Sequence, residues 1–215
     1  MRRSIRHFLC ALAILPTAAL TARPNEGRWV VISEDGGIIV YRRAEDSRAT
    51  VTIRGETTIA APSAAIIAVM LDSPRASEWV PFVHEKRDLQ VIGPDERLEY
   101  THTRLPWPLK DRYFINRGKM EQLPAGIVHI YVHSVDNPPF KEDDKILGQL
   151  YYADFVLTPR DGGRTTHILL EINSDPKGWI PTWMINLAQV EWPRKFFSGL
   201  NDQLAHRGLM ERPGH

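Results

Sequence analysis

The sequence predicts an α+β protein in which one large antiparallel β-sheet curls around a long C-terminal helix. About eight strand-like segments, rich in β-branched residues and separated by short Gly/Pro turns, fill residues 37–173. A single long apolar segment with helical spacing then closes the chain. A sheet of this size must curl, and its inner face needs a cover. Only the last helix is large and apolar enough to provide that cover.

The N-terminal segment has the form of a secretory signal peptide. Arg2, Arg3 and Arg6 precede an apolar run, Phe8–Leu20, and small residues follow it. The run has 13 residues, fewer than the roughly 20 that span a bilayer. An uncleaved membrane anchor is the alternative. We therefore expect residues 1–22 to be removed and the mature chain to be periplasmic or secreted.

Removal of this segment changes the charge balance and the cysteine content. Lys plus Arg falls from 27 to 24 (27 − 3) against 26 Asp plus Glu, which gives a net charge of −2. A nucleic-acid-binding protein normally has a basic excess or a basic stripe, so no nucleic-acid partner is expected. The one cysteine, Cys10, lies in the signal segment. The mature domain is thus expected to have no internal disulfide and no thiol nucleophile.

Strand and helix signals follow one another along the chain. Pro62–Pro74 predicts a short helix, because proline suits a first helical turn and the second proline ends the helix. The stretch RASEWVPFV (Arg75–Val83) predicts a short helical turn that ends at Pro81. The predicted strands are Gly37–Glu45, Ala49–Ala60, Arg87–Ile92, Arg97–Leu105, Arg112–Glu121, Gly126–Val135, Leu147–Thr158 and Thr165–Asn173.

The C-terminal helix is predicted over Gly178–Leu200 and has more aromatic surface than a closing helix needs. Its apolar stripe is Ile180, Trp183, Met184, Leu187 and Val190, and after Pro193 the stripe moves about 100° around the axis to Phe197, Leu200 and Leu204. A kink at Pro193 would let both stripes face the sheet. Simple packing is one explanation. Bulky rings above a concave sheet favour the other, an apolar ligand cavity.

Two motifs resemble those of a known family. The stretch LPWPLKDRYF (Leu105–Phe114) and the stretch DPKGWIPTWMINLAQVEWPRKFFSGL (Asp175–Leu200) are similar to the steroidogenic acute regulatory protein-related lipid transfer (START) domains, particularly bacterial ones. EWVPFV and LYYADFVLTP also match, and the resemblance extends more weakly over residues 25–208. The order of elements agrees with the helix-grip fold of that family, within the wider Bet v 1-like and polyketide cyclase superfamily.

The resemblance implies a START-like domain over residues 23–215 with a hydrophobic tunnel between the curved sheet and the C-terminal helix. It implies noncatalytic binding, and transfer, of one lipid or similar apolar molecule, without a cofactor. A monomer is expected, with transient contact to a membrane surface. The C-terminal helix would act as a lid that opens for loading, with the turn at Asp175–Gly178 as its hinge.

Ten residues are candidate ligand contacts, chosen from apolar strand faces, the helix stripe and the polar groups near them. They are Trp79, Phe82, Leu98, Tyr100, Arg112, Ile130, Tyr152, Trp183, Met184 and Leu187. Arg112 either holds its loop through an ion pair or orients a ligand oxygen or carboxylate. Trp79 and Phe82 either close one mouth of the cavity, touch a membrane surface during exchange, or form a satellite core. Glu171 and Asp154 are expected to be solvated strand residues.

Motifs for catalysis are missing from the sequence. It contains no G-x-S-x-G, H-E-x-x-H or G-x-G-x-x-G. His129 and His133 share a strand face, but a metal site would need a third ligand such as His102 or His167, so no metal is predicted. The alternatives to a carrier are an enzyme of the polyketide cyclase or aromatase type, with a cavity Arg, Tyr or His in proton transfer, and a sensor or scaffold module with a permanent partner.

Overall fold

The computed structural model describes residues 29–43 and 51–210. Ten strands and two α-helices make up the described chain. The strands are β1 Trp29–Asp35, β2 Ile38–Arg43, β3 Val51–Ile59, β4 Val83–Gly93, β5 Glu96–Thr103, β6 Arg112–Gln122, β7 Val128–Ser134, β8 Ile146–Leu147, β9 Gln149–Arg160 and β10 Thr165–Asp175; the helices are α1 Ser63–Met70 and α2 Thr182–His206. A short 3₁₀ helix, Ser73–Glu78, follows α1. The expected signal peptide and Cys10 lie outside the described residues.

All ten strands form one sheet in the order β1-β2-β3-β10-β9-β7-β6-β5-β4, and β8 pairs with β6. Every pairing along this path is antiparallel, and only the short β8 is parallel to its neighbour. The order confirms the predicted meander from β4 to β7. The first three strands join through β10, so the N-terminal and C-terminal parts of the chain share one sheet. The predicted α+β helix-grip architecture is confirmed.

The first hairpin shows why the sequence turns where it does. Gly36 and Gly37 join β1 to β2 with φ angles of 58° and 76°, a conformation that is strained for residues with a Cβ atom. A two-residue connection with both φ angles positive is the type I′ turn that matches the twist of paired strands. Strand β1 was not predicted from the sequence, because its side chains are mostly exposed and alternate only weakly between buried and exposed.

The main core lies between the concave face of the sheet and the C-terminal half of α2. The helix side chains that are fully buried all lie from Pro193 onward: Pro193, Phe196, Phe197, Leu200 and Leu204. This half packs against β2, β3 and α1. Contact is close at Gly55 of β3, where an added Cβ would lie 2.8 Å from the Phe197 ring and 3.3 Å from Pro193. Glycine at this point lets the helix approach the sheet.

A second, smaller cluster lies on the convex face of the sheet. Tyr100, Tyr113 and Ile115 form its buried centre, and Phe140 packs on it from the loop between β7 and β8. The Tyr100 hydroxyl donates a hydrogen bond to Glu142 of this loop (3.2 Å), and the Glu142 N–H donates to the Tyr113 hydroxyl (3.1 Å). The loop therefore covers the outer side of β5 and β6, and both faces of these two strands are shielded.

The helix α2 continues through Pro193 as one helix from Thr182 to His206. Its first apolar stripe faces the cavity and its second stripe, after Pro193, packs in the main core. The helix therefore accommodates both stripes without a break at the proline. Neither helix within the described ranges combines the length and hydropathy that a membrane span requires.

Candidate ligand cavity

A cavity of about 550 Å³ lies between the N-terminal half of α2 and the concave face of the sheet. This volume falls within the range of small-molecule sites, about 300–1,000 Å³. Its apolar wall comes from β3, β6, β7, β9 and β10, and includes Ile53, Phe114, Met120, Val132, Leu150 and Phe155. Successive side chains of a strand point to opposite faces of the sheet, so each strand contributes about every second residue to the cavity wall.

The N-terminal half of α2 closes the cavity without filling it. Trp183, Met184, Leu187 and Ala188 line it at helical spacing, and Ile180 lines it from the segment just before the helix. Trp183 is 63% exposed and Leu187 is 52% exposed, whereas the apolar stripe after Pro193 is buried. The bulky rings therefore serve two purposes: Phe196 and Phe197 fill the core, and Trp183 borders an open space.

The structure brings six of the ten predicted contact residues to the cavity. These are Phe82, Arg112, Ile130, Trp183, Met184 and Leu187. Phe82 has a positive φ of 65°, a strained backbone for a residue with a side chain, and is 45% exposed. Strain of this kind persists only where the surrounding structure enforces it. Because Phe82 both lines the cavity and is partly exposed to solvent, it lies at the opening of the cavity. Contact of these six residues with a ligand stays a prediction.

The other four predicted residues lie elsewhere, and each placement has a physical reason. Trp79 is in the main core, where its ring lies 5.2 Å from that of Phe196. Leu98 and Tyr100 belong to the convex cluster, because the apolar face of β5 points away from α2. Tyr152 is on the convex face because of a β-bulge: Asn173 pairs with Tyr152, but Ser174 pairs with Leu150, which leaves Tyr151 as the extra residue.

Arg112 does not pair with a carboxylate among the described residues. Its side chain is buried, and its guanidinium donates to the carbonyl oxygens of Pro176 (Nε, 3.3 Å), Lys177 (Nη2, 3.0 Å) and Trp179 (Nη2, 3.4 Å), and also to that of Lys110. Burial lowers the pKa of this guanidinium, and neighbouring Asp111 partly opposes the change. The expected ion pair is replaced by a clamp on backbone carbonyls, and contact of Arg112 with a ligand head stays a prediction.

The clamped turn joins β10 to α2 and has a strained backbone. Lys177 has a φ of 54° and Gly178 a φ of 67°. The Lys177 N–H also donates to Asp175 Oδ1 at 2.8 Å. A buried cation thus holds the turn from which the helix starts. A hinge at this turn was predicted from the sequence and stays a prediction, whereas the role of Arg112 in holding the turn was not predicted.

The wall formed by β4 and β5 is charged, which the sequence analysis did not anticipate. Lys86 Nζ lies 3.1 Å from Glu99 Oε2, with side-chain exposures of 18% and 8%. Arg97 Nη1 lies 3.2 Å from Asp88 Oδ2 on the same face. Lys86, Arg97, Glu99 and Thr101 line the cavity. The polar alternation Arg97, Glu99, Thr101, Thr103 was visible in the sequence. The apolar residues between them, Leu98 and Tyr100, led instead to the prediction that the other face of β5 lines the cavity.

Other polar candidates form pairs on the convex face. Glu171 accepts hydrogen bonds from Arg43 (3.1 Å), Arg54 (3.0 Å) and Tyr152 (2.7 Å), so it is not the solvated residue that was expected. Asp154 lies 2.7 Å from His129 Nε2. Burial and the hydrogen bond with Glu171 raise the pKa of Tyr152. No group of three metal-ligating side chains occurs within residues 29–43 and 51–210.

The fold and the cavity together define a class of protein: a curved antiparallel sheet that grips a long C-terminal helix around an internal apolar space. The family model described as START domain matches residues 17–190, which is most of the chain. The chain therefore belongs to the START domain family.

Curated relatives match along most of their length. An uncharacterized protein of Pseudomonas aeruginosa is 25% identical over 211 residues, covering 96% of this chain and all of the relative. The phosphatidylcholine transfer protein of Mus musculus is 24% identical over 189 residues, covering 86% of each chain.

Solved structures share the fold. The STAR-related lipid transfer protein from Xanthomonas axonopodis is 23% identical with a TM-score of 0.72, covering 82% of this chain and 98% of that one. The Zhui aromatase/cyclase from Streptomyces is 11% identical with a TM-score of 0.51, covering 74% of this chain and 96% of that one. At these identities the likeness shows the fold alone.

Proposed function

We propose that this protein binds one lipid or similar apolar molecule in its cavity, without chemistry, and carries it between membranes. The observation that carries the proposal is the unfilled cavity of about 550 Å³ beneath a helix whose first two turns line it with apolar side chains, Trp183, Met184, Leu187 and Ala188. A lipid that leaves a bilayer loses about 0.8 kcal/mol per CH₂ to water, so a 16-carbon chain loses roughly 13 kcal/mol. An apolar cavity offsets most of this cost. The family name and the phosphatidylcholine transfer relatives support the same reading.

Native mass spectrometry of protein from its source organism tests this proposal directly. We expect a co-purifying lipid in the wild-type protein. Ala188→Trp fills the cavity from α2 with an indole, so we expect the lipid to be lost and the affinity for added lipid to fall at least tenfold. Ala205→Trp on the exposed side of the same helix is the matched control. Equal lipid content in both variants would exclude the cavity as the binding site.

The enzyme alternative depends on the shared fold with the aromatase/cyclase. The arginine at the cavity wall, Arg112, has four hydrogen bonds to backbone carbonyls, which supports a structural role for it over proton transfer. Incubation with a polyketide mimic separates the two functions: a carrier returns it unchanged, and an enzyme releases a cyclised product.

We also propose that the end of the molecule near the cavity opening contacts the membrane surface. Trp107 is 92% exposed and Trp179 is 72% exposed. Arg112 donates to the carbonyls of Lys110 and Trp179, so the loop of Trp107 and the start of α2 lie side by side. Tryptophan suits the membrane interface, because its ring is apolar and its N–H is polar.

Trp107 allows membrane contact to be tested apart from binding, since it does not line the cavity. Trp107→Ser is expected to slow lipid transfer between vesicles by about tenfold, given that burial of a large apolar side chain contributes about 1.5–3 kcal/mol. The equilibrium affinity for lipid should not change. Leu209→Ser, an exposed apolar residue after α2, is the control. A transfer rate equal to the wild-type rate would show that the loop does not reach the membrane.

A further inference from the structure

Methionines from three separate elements meet at the cavity. The chain has five methionines, of which Met1 lies outside the described residues. Three of the other four line the cavity: Met70 ends α1, Met120 belongs to β6 and Met184 lies in the first turn of α2. We propose, on the basis of the carrier function above, that these thioethers form an oxidation site. Peroxide reaches them when the cavity is empty, a bound ligand covers them, and their oxidation prevents the carrier from loading.

Thioether sulfur is the most readily oxidised group in the described part of the chain. The one cysteine, Cys10, lies outside residues 29–43 and 51–210. A methionine sulfur has no proton to lose before it reacts, so its oxidation depends mainly on whether the oxidant can reach it. The position of each methionine in the fold therefore decides how readily it reacts.

The three cavity methionines are open to small molecules from solvent. Their side chains are partly buried and not fully enclosed. The cavity opens beside Phe82 and Trp183, which are 45% and 63% exposed. Its volume is about 550 Å³, and hydrogen peroxide is only one oxygen atom larger than water. Peroxide can thus enter the empty cavity, whereas an apolar ligand that fills the space displaces it from the sulfurs.

The reaction transfers one oxygen atom. The sulfur lone pair attacks hydrogen peroxide, the O–O bond breaks, an S–O bond forms, and the second oxygen leaves as water. Sulfur loses two electrons and the peroxide gains them. A sulfoxide reductase with a dithiol reductant reverses the change: the sulfoxide oxygen leaves as water and the dithiol becomes a disulfide.

Oxidation makes the cavity wall polar at three apolar positions. A thioether is apolar and flexible, and therefore adapts to the shape of a ligand, whereas a sulfoxide is polar. The sulfoxide oxygen has hydrogen bonds with water in the empty cavity and loses them beneath an apolar ligand, which disfavours binding. Met184 isolates this effect, because it stands outside both apolar clusters of the described residues. Met70 and Met120 also pack against the main core.

Met210 provides an internal reference for the other three. It is also partly buried and packs against the main core, but it does not line the cavity. Its oxidation should therefore not depend on the ligand. A general loosening of the core by oxidation would involve Met210 as well, so a comparison of Met184 with Met210 separates a cavity effect from a loss of the fold.

Peroxide treatment of the expressed full chain, stripped of lipid, tests the access of the oxidant. The protein is treated with and without dioleoyl phosphatidylcholine, and peptide mass spectrometry measures the gain of one oxygen atom at each methionine. We expect bound lipid to slow oxidation of Met70, Met120 and Met184 by about tenfold and to leave Met210 unchanged. Equal rates with the lipid bound would overturn the proposal while the carrier function stands. If neither this lipid nor an extract of Gram-negative envelope lipids bound, the carrier function would fail, and the proposal with it.

The affinity of the oxidised protein tests the consequence for loading. Peroxide-treated protein should bind dioleoyl phosphatidylcholine about tenfold more weakly than untreated protein, and sulfoxide reductases with dithiothreitol should restore binding. Met184→Leu conserves volume and should recover a large part of the lost affinity. Met210→Leu is the matched control and should lose affinity as the wild-type protein does. An affinity unchanged by oxidation of all three cavity methionines would contradict the proposal. Equal recovery in the two variants would also contradict it, because the core and not the cavity would then be responding.

Discussion

Tyr100 shows how the environment of one side chain produces a pH dependence. It is buried in the convex cluster, and burial, followed by its hydrogen bond to Glu142, raises its pKa from 10.0 to about 12. The unfolded state therefore ionises Tyr100 before the folded state does. The stabilising contribution is complete below pH 10 and is lost as the pH rises toward about 12.

Tyr100→Phe should reduce the pH dependence of the unfolding free energy in this window. One proton fewer is linked to unfolding, so the slope should fall by up to about 1.4 kcal/mol per pH unit. Urea titrations at several pH values between 10 and 12 measure this slope. Tyr151→Phe, at an exposed tyrosine of β9, is the control. An unchanged slope in Tyr100→Phe would mean that the hydroxyl ionises equally in both states.

The two halves of helix α2 are held in place by different contacts. Its C-terminal half is anchored by buried side chains, and its N-terminal half is attached through the turn that Arg112 clamps. Hydrogen bonds to charged groups each contribute about 1.5–3 kcal/mol. We therefore expect Arg112, through this turn, to control how often the N-terminal half of α2 opens.

Arg112→Met should raise amide hydrogen exchange over residues 176–192 at least tenfold and speed ligand exchange. Arg112→Lys should show a smaller part of the effect, since an ammonium keeps the charge but lacks the planar fork. Arg117→Met, an exposed arginine on the same strand, is the control. Uniformly faster exchange across the whole sheet would indicate global destabilisation and not a local clamp.

At the scale of the whole molecule, export of the chain is proposed from the sequence of residues 1–22. Expression of the full chain in a Gram-negative host should place a protein lacking about 22 residues in the periplasmic fraction. Replacement of Arg2 and Arg3 by Glu should retain the full-length chain in the cytoplasm. Intact-mass measurement of both fractions checks this. A membrane-bound, full-length wild-type chain would support the uncleaved anchor instead.

The face of a strand that lines the cavity was predicted correctly only where apolar residues pack on one side of the sheet. The alternation in β7 placed Ile130 and Val132 on the cavity side, as the structure has them. In β5 the same logic gave the wrong face, because a second apolar cluster covers the convex side and attracts Leu98 and Tyr100. A strand pattern identifies which residues share a face, but not which of two cores that face meets.

Period and turn chemistry are local properties, and the sequence alone determined what depends on them: the series of strands, the closing helix, and the two motifs that predict the family. The tertiary structure decided the rest. A bulge of one residue turned Tyr152 outward, and the fold brought Lys86 beside Glu99 and Arg112 beside a turn 64 residues later. The physical reason is that the size of a cavity and the partners of a buried charge depend on distances between segments far apart in the chain, which no local pattern records.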